Sequence, residues 1–187
     1  MADIWDAAIE EARASAPIDV FELEAIEISH PAWVGEDDLP GALRMVLDDR
    51  EWELAHEVDA PLDAGNPVLY RPASARVVRP EQAEGQPGDV TLAFDFVSRA
   101  VLPWIDQALS IRADGRMILR TWLAQRNALT GEWQVSGPPK EQLKGLTVRK
   151  INASATTIQL TASFKDLFNV GFPRRLFTQA EFPGLFG

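Results

Sequence analysis

His30 and His56 are the only imidazoles in the chain. Imidazole changes charge near neutral pH and is the commonest metal ligand, so acid–base or zinc chemistry would have to start from these two. Neither stands in an HExxH pattern or a paired-His spacing, and ordinary surface or packing use is the expectation. Glu36, Asp37 and Asp38 gather the carboxylates that a hard divalent cation takes, but EF-hand spacing is missing and a solvated acidic loop is expected. Asn152, Ala153 and Ser154 match a glycosylation acceptor by pattern, and without a secretory signal they read as turn chemistry. The chain has no cysteine, GxSxG, P-loop or GxGxxG. The expectation is therefore a protein that is not an enzyme, with no catalytic residue, no cofactor and no metal.

The other residues with chemistry to offer are of a binding kind. Arg149, Lys150, Arg174 and Arg175 are adjacent cations suited to a partner's carboxylates or to solvent. Phe164, Phe168, Phe172, Phe177, Phe182 and Phe186 are interrupted by Gly171, Pro173, Pro183 and Gly184. No long helix can carry them, so each ring needs its own pocket. This C-terminal tail, about residues 165–187, either packs on its own domain or docks on a neighbour, with Phe177, Phe182 and Phe186 as candidate anchors. Trp33, Trp122 and Trp133 could stack on sugars if one patch exposed them.

Strands must position these residues. Ile158, Leu160, Ala162 and Phe164 alternate with polar partners, and Leu146, Val148 and Lys150 alternate against Thr147, Arg149 and Ile151. INAS turns the chain between them, so the two strands are expected to run antiparallel. Gly115 opens another strand, RMILRTWLAQR, and Val90, Leu92, Phe94 and Phe96 form the clearest strand of the first half. Between Val97 and Ser110, Ser98 caps a helix whose Val101, Trp104, Ile105, Ala108 and Leu109 share a face.

Upstream, Phe21, Leu23 and Ala25 shift phase to Ile26 and Ile28, which predicts a strand with a bulge or one buried on both faces. HPAWVGEDDLPG breaks that pattern. Leu43, Met45 and Leu47 pair with Trp52 and Leu54 as a hairpin turned at Asp48 and Asp49. DAPLDAGNP is a loop, Val68 with Tyr70 and Ala75–Val78 are short strands, and Asn127–Gly145 is an exposed loop. A short helix over about residues 2–14 is stopped by Pro17. The sum is one mainly β domain, 1–187, an antiparallel barrel or sandwich with one inserted helix and a short N-terminal helix.

Charge is uneven. Met1–Arg99 holds 22 acidic and 7 basic residues, and Ala100–Gly187 holds 6 and 11, within a net charge of −10. An acidic whole argues against nucleic acid, because phosphate binding rests on Lys and Arg. The asymmetry reads either as a solvated acidic surface or as complementary faces between neighbouring subunits. The opening MADIWDAAIEEARA has no basic n-region, and no apolar run approaches a bilayer span, so neither a secretory leader nor membrane embedding is expected.

Leu146–Phe186, LTVRKINASATTIQLTASFKDLFNVGFPRRLFTQAEFPGLF, resembles the end of a family of tail-tip proteins from long, non-contractile-tailed bacteriophages. Phe21–Trp33 (FELEAIEISHPAW) resembles that family's first strand, and Gly88–Leu109 (GDVTLAFDFVSRAVLPWIDQAL) its strand–helix block; the terminal FPGLF is the most specific part. More distantly, the element order is similar to the N-terminal domain of the lambda minor tail protein L and other tail hub proteins. Without cysteine, the metal-cluster domain that follows there is not expected here. The resemblance implies a structural virion protein of the tail tip, assembled in the host cytoplasm. It implies a ring of itself, three subunits favoured and six the alternative, between tail tube and hub or central fibre. Its partners would be distal tail, hub and central fibre proteins, with no nucleic acid and no membrane. The runner-up is a non-catalytic carbohydrate- or host-surface-binding module.

Overall fold

The computed structural model describes residues 14, 18–34, 40–79, 88–94, 106–108, 113–154 and 157–164. Ten strands carry the fold: β1 (Val20–Val34), β2 (Pro40–Val46), β3 (Trp52–Ala55), β4 (Pro67–Pro72), β5 (Ala75–Val78), β6 (Asp89–Phe94), β7 (Arg116–Arg126), β8 (Trp133–Val135), β9 (Glu141–Ala153) and β10 (Ile158–Phe164). They follow one hydrogen-bonded path, β3-β4-β2-β1-β7-β9-β10-β6-β5, with β8 beside β7. The path does not close on itself, so the sandwich-like alternative holds over the barrel. One contact is parallel, Met45 with Arg71 and Val46 with Pro72 between β2 and β4, which makes the sheet mixed.

The phase shift in β1 resolves as burial on both faces. Its register against β7 runs unbroken from Val20 opposite Gln125 to Ser29 opposite Arg116, leaving no room for a bulge at Ala25 and Ile26. Opposed residues share a face. Ile26 with Leu119 and Ile28 with Met117 enter a first core, joined by Val90, Leu92 and Phe94 of β6 and Ile158, Leu160 and Ala162 of β10. Leu23 with Trp122 and Ala25 on the other face enter a second core, covered by Trp52 and Leu54 of β3 and Tyr70 of β4. The β1–β7 pair thus sits between two covering layers.

Two connections shape the sheet. Only Ala73 and Ser74 separate β4 from β5, although these strands lie near opposite ends of the path, so the link pulls the ends together and curls the sheet around the first core. Within β9 the register slips twice. Leu119 opposes Leu143 while Met117 opposes Leu146, and Gly145 at φ +83° occupies the slip. Thr161 opposes Lys150 while Ala162 opposes Val148, which leaves Arg149 as the extra residue of a bulge. Bulges bend a strand and increase its twist, and β9 uses two to turn from β7 onto β10.

Several expectations are corrected. β3 does not form a hairpin with β2; it pairs antiparallel with β4, Trp52 opposite Tyr70. After β2, Leu47 N–H still donates to the Glu24 carbonyl at 2.9 Å and Asp48 accepts the Trp52 indole N–H, so the chain crosses to the other face before β3 begins. β1 does not stop at His30 but continues to Val34, with its register against β2 broken between Ser29 and Val34, where an exposed Pro31 needs no ladder donor. The segment 127–145 is not wholly loop, since it contains β8 and the first turn-ward part of β9. The antiparallel return of β10 on β9 is as expected. Of the two expected helices, residue 14 and residues 106–108 are helical, with Ala108 against the first core; their other residues, and the tail 165–187, lie outside the described residues.

Candidate functional site

Beneath the β3–β4 connection, residues 56–66, lies a cluster of charged and hydroxyl side chains at the heart of the sheet. Glu27 of β1 is 2% exposed and Arg120 of β7 is 1% exposed, with His56, Glu57 and Tyr70 also buried. Burying so many charges is costly unless each is paired. Each is. Arg120 grips Glu57 with both ends of its fork, Nε to Oε2 at 2.9 Å and Nη2 to Oε1 at 3.1 Å. Its Nη1 donates to the Tyr70 hydroxyl at 3.2 Å and lies 3.4 Å from Glu27 Oε1. Arg44 Nε donates to Glu27 Oε2 at 3.0 Å and its guanidinium also meets Asp63. Lys144 of β9 reaches Glu57 Oε1 at 3.1 Å and Asp59 Oδ2 at 3.0 Å.

His56 completes the chain. Its Nδ1 lies 3.0 Å from the Leu62 carbonyl, which can only accept, so Nδ1 carries the proton. Nε2 is then the acceptor, and at 2.8 Å it takes the Tyr70 hydroxyl proton. Donation thus runs from Arg120 through Tyr70 to His56. Burial, the largest cause, holds the His56 imidazole below its usual range, with Arg120 and Arg44 adding to it against the Leu62 carbonyl and Glu27. Burial likewise pushes the Tyr70 hydroxyl up. For Glu57 burial is the largest single cause and works upward, yet the hydrogen bond and charge of Arg120, a backbone hydrogen bond and the Lys144 hydrogen bond together hold the carboxyl below the usual range. Among the described residues no buried side-chain nitrogen or oxygen lacks a partner.

A second concavity lies on the other side of the sheet. A cleft of about 260 Å³ is walled by Ile28, Leu43, Phe94 and Val148, with His30 and Trp33 at one side and Arg149 and Lys150 at the rim. His30 is fully committed there: its Nε2 donates to the Ala113 carbonyl at 3.0 Å and its Nδ1 accepts from Ala32 N–H at 3.1 Å. Arg149 is exposed on its bulge and donates through Nε to Ser163 Oγ at 3.1 Å, and Lys150 is exposed beside it. The structure therefore brings Arg149 and Lys150 together. Arg174, Arg175, Phe177, Phe182 and Phe186 lie outside the described residues, as do Glu36, Asp37 and Asp38.

The profile of one family, described as a domain of unknown function, DUF1833, matches residues 8–177. The chain belongs to the DUF1833 family. That match spans both candidate sites of this DUF1833 chain and ends short of FPGLF at residues 182–186. No curated protein matches the chain. Among the described residues of this DUF1833 domain no group of three or more metal-ligating side chains is assembled, and no helix is long and apolar enough to cross a membrane.

The ionic cluster was hidden from sequence reasoning. Its signal was the presence of Glu27 between Ile26 and Ile28 and of Arg120 within MILRTWL, charges set in largely apolar strands. Trp33, Trp122 and Trp133, by contrast, do not share one exposed patch. Trp122 is fully buried, Trp33 is 5% exposed, and the half-buried Trp133 packs edge-on against Phe21 at 4.8 Å.

Proposed function

We propose that this chain is a structural subunit of a bacteriophage tail tip, forming a ring that links the tail tube to the hub or central fibre. The observation that carries this reading is the resemblance of Leu146–Phe186 to tail-tip proteins, whose described part builds β9 and β10 in the middle of the sheet. Arg149 and Lys150 at the rim of an apolar cleft are compatible with an interface to a second copy or to distal tail, hub and central fibre proteins, with three subunits favoured and six the alternative. Such a ring closes by a heterologous contact, one face of each subunit meeting a different face of the next. The protein would act in the virion after assembly in the host cytoplasm.

The charge split needs a narrower form than complementary halves. Strands of the acidic half, β1–β6, flank those of the basic half, β7–β10, on both sides, and Glu27 and Glu57 already neutralise Arg120 inside the chain. Arg149 and Lys150 are exposed cations of the basic half among the described residues, and Arg174 and Arg175 are candidates by sequence alone. The double reversal Arg149→Glu/Lys150→Glu is expected to weaken assembly, read as the oligomer distribution by sedimentation at low and high salt. Exposed pairs fade as the Debye length shrinks from about 10 Å at 0.1 M to about 3 Å at 1 M, while apolar contacts persist, so wild type should lose part of its assembly with salt. A reversed variant that assembles as well as wild type at every salt refutes the electrostatic contact.

Deleting residues 182–187 tests the reading as a whole. The shortened protein should fold, since a terminal segment is often dispensable to a core, yet should be missing from purified particles. Incorporation at wild-type level would rule out docking through the tail. The sugar-binding alternative is disfavoured by Trp33 and Trp122, whose rings are enclosed in the chain's own cores.

A further inference from the structure

The connection from His56 to Asn66 lies over the second face of the sheet and is held there almost wholly by charge. Its Glu57, Asp59 and Asp63 carboxylates meet Arg120 of β7, Lys144 of β9 and Arg44 of β2. Its apolar hold is slight. Ala60 is buried and Leu62 half-buried, but Val58 is 88% exposed. Backbone bonds within the strap, His56 N–H to the Asn66 carbonyl and Gly65 N–H to the Glu57 carbonyl, both at 3.0 Å, give it a shape of its own without tying it to the strands below.

We propose that this strap is an acid-released latch, in which protonation of His56 frees residues 56–66 from the sheet while both apolar cores stay packed. The argument is geometric. His56 Nε2 sits 2.8 Å from a hydroxyl that already receives a proton from Arg120 and gives its own to the imidazole. Once Nε2 carries a proton, it and Arg120 Nη1 both point donors at the Tyr70 oxygen, and the Tyr70 proton has lost its acceptor. The remaining groups facing the ring do not repair this. Glu27 from β1 is 3.8 Å from Nε2 and is already shared between Arg44 of β2 and Arg120 of β7, while Glu57 of the strap is engaged by Arg120 and Lys144 of β9. The imidazolium is best served by water, which it reaches when the strap lifts.

The sign follows from linkage. A histidine held below its ordinary range in the closed form and free in the open form draws the equilibrium toward opening as pH falls below about 6.5. One proton changes that equilibrium about tenfold per pH unit until the closed form itself titrates. Glu57, held below its usual range, stays charged over this interval, so histidine is the group that moves.

The test is amide exchange of the full chain between pH 7.5 and 5, corrected for intrinsic rates, alongside an NMR titration of the two imidazoles. Strap amides should lose protection about tenfold per pH unit below 6.5 and level off at the midpoint of the His56 ring, while the β1–β7 ladder stays protected. His56→Gln, which can accept from Tyr70 but cannot charge, should flatten the profile. Because the chain has only two histidines, His30, locked in the other core, serves as the internal control. The proposal is overturned if strap protection is constant over this range, if its loss follows the His30 ring, if His56→Gln leaves the slope unchanged, or if the ladder opens in parallel.

Discussion

Replacing Arg120 with methionine should destabilise the fold by about 3–5 kcal/mol, the usual consequence of leaving buried charges without their partner. Arg120 is 1% exposed and serves Glu57, Glu27 and Tyr70 at once, so its loss strands the Glu57 carboxylate against Lys144 alone and removes one of the two cations at Glu27. The cost is large beside the about 5–15 kcal/mol that stabilises a typical domain. Urea denaturation monitored by tryptophan fluorescence measures it. The companion variant Arg120→Met/Glu57→Leu should recover much of the loss, because replacing both members of a buried pair by apolar groups is often neutral or better. Glu27 would keep Arg44 and Tyr70 would keep His56 as acceptor. A loss below about 1 kcal/mol in the single variant would mean that water reaches the cluster.

Trp122→Ala should be of similar size, about 3–5 kcal/mol, since it removes the largest fully buried side chain among the described residues and opens a cavity in the second core. The ring meets Tyr70 edge-on at 5.8 Å and its indole N–H donates to the Ala55 carbonyl at 3.3 Å, so it also pins the β3–β4 cover to β7. Trp133→Ala, at a half-buried site beside Phe21, should cost only about 1 kcal/mol. The contrast separates the two residues by thermal melting. Equal and small losses would show that the second face is loosely packed.

What the sequence made legible were the strands whose one face is buried. Val90, Leu92 and Phe94, and Ile158, Leu160 and Ala162, alternate because their opposite faces meet polar surroundings, and both were readable as written. β1 and β7 carry apolar residues on both faces, so alternation alone left their phase open, and only the partner strand decides it. The pairing of Trp52 with Tyr70 rather than with β2 was illegible, because a short strand after two aspartates satisfies either arrangement locally. The ionic cluster was hidden for the same reason at longer range. Glu57 and Arg120 are far apart in sequence, and nothing near either residue announces the other. Arg149 and Lys150 were visible as a basic pair, whereas the bulge that leaves both exposed depends on a register slip against β10.

The pairing of Val20–Ser29 with Arg116–Gln125 also governs how the protein reaches its fold. Both cores are built on that ladder, and its second strand is made roughly a hundred residues after its first. At about 5–20 residues per second, a ribosome would leave the β7 edge of β1 open for several seconds or more after β2 has taken the other edge, with Ile26 and Ile28 still lacking the cover of β6 and β10. Ladders closed over such distances form in milliseconds to seconds rather than microseconds. During synthesis β1 is therefore the segment most exposed to misassociation, and Glu22, Glu24 and Glu27, spaced among its apolar residues, are the charges that oppose it.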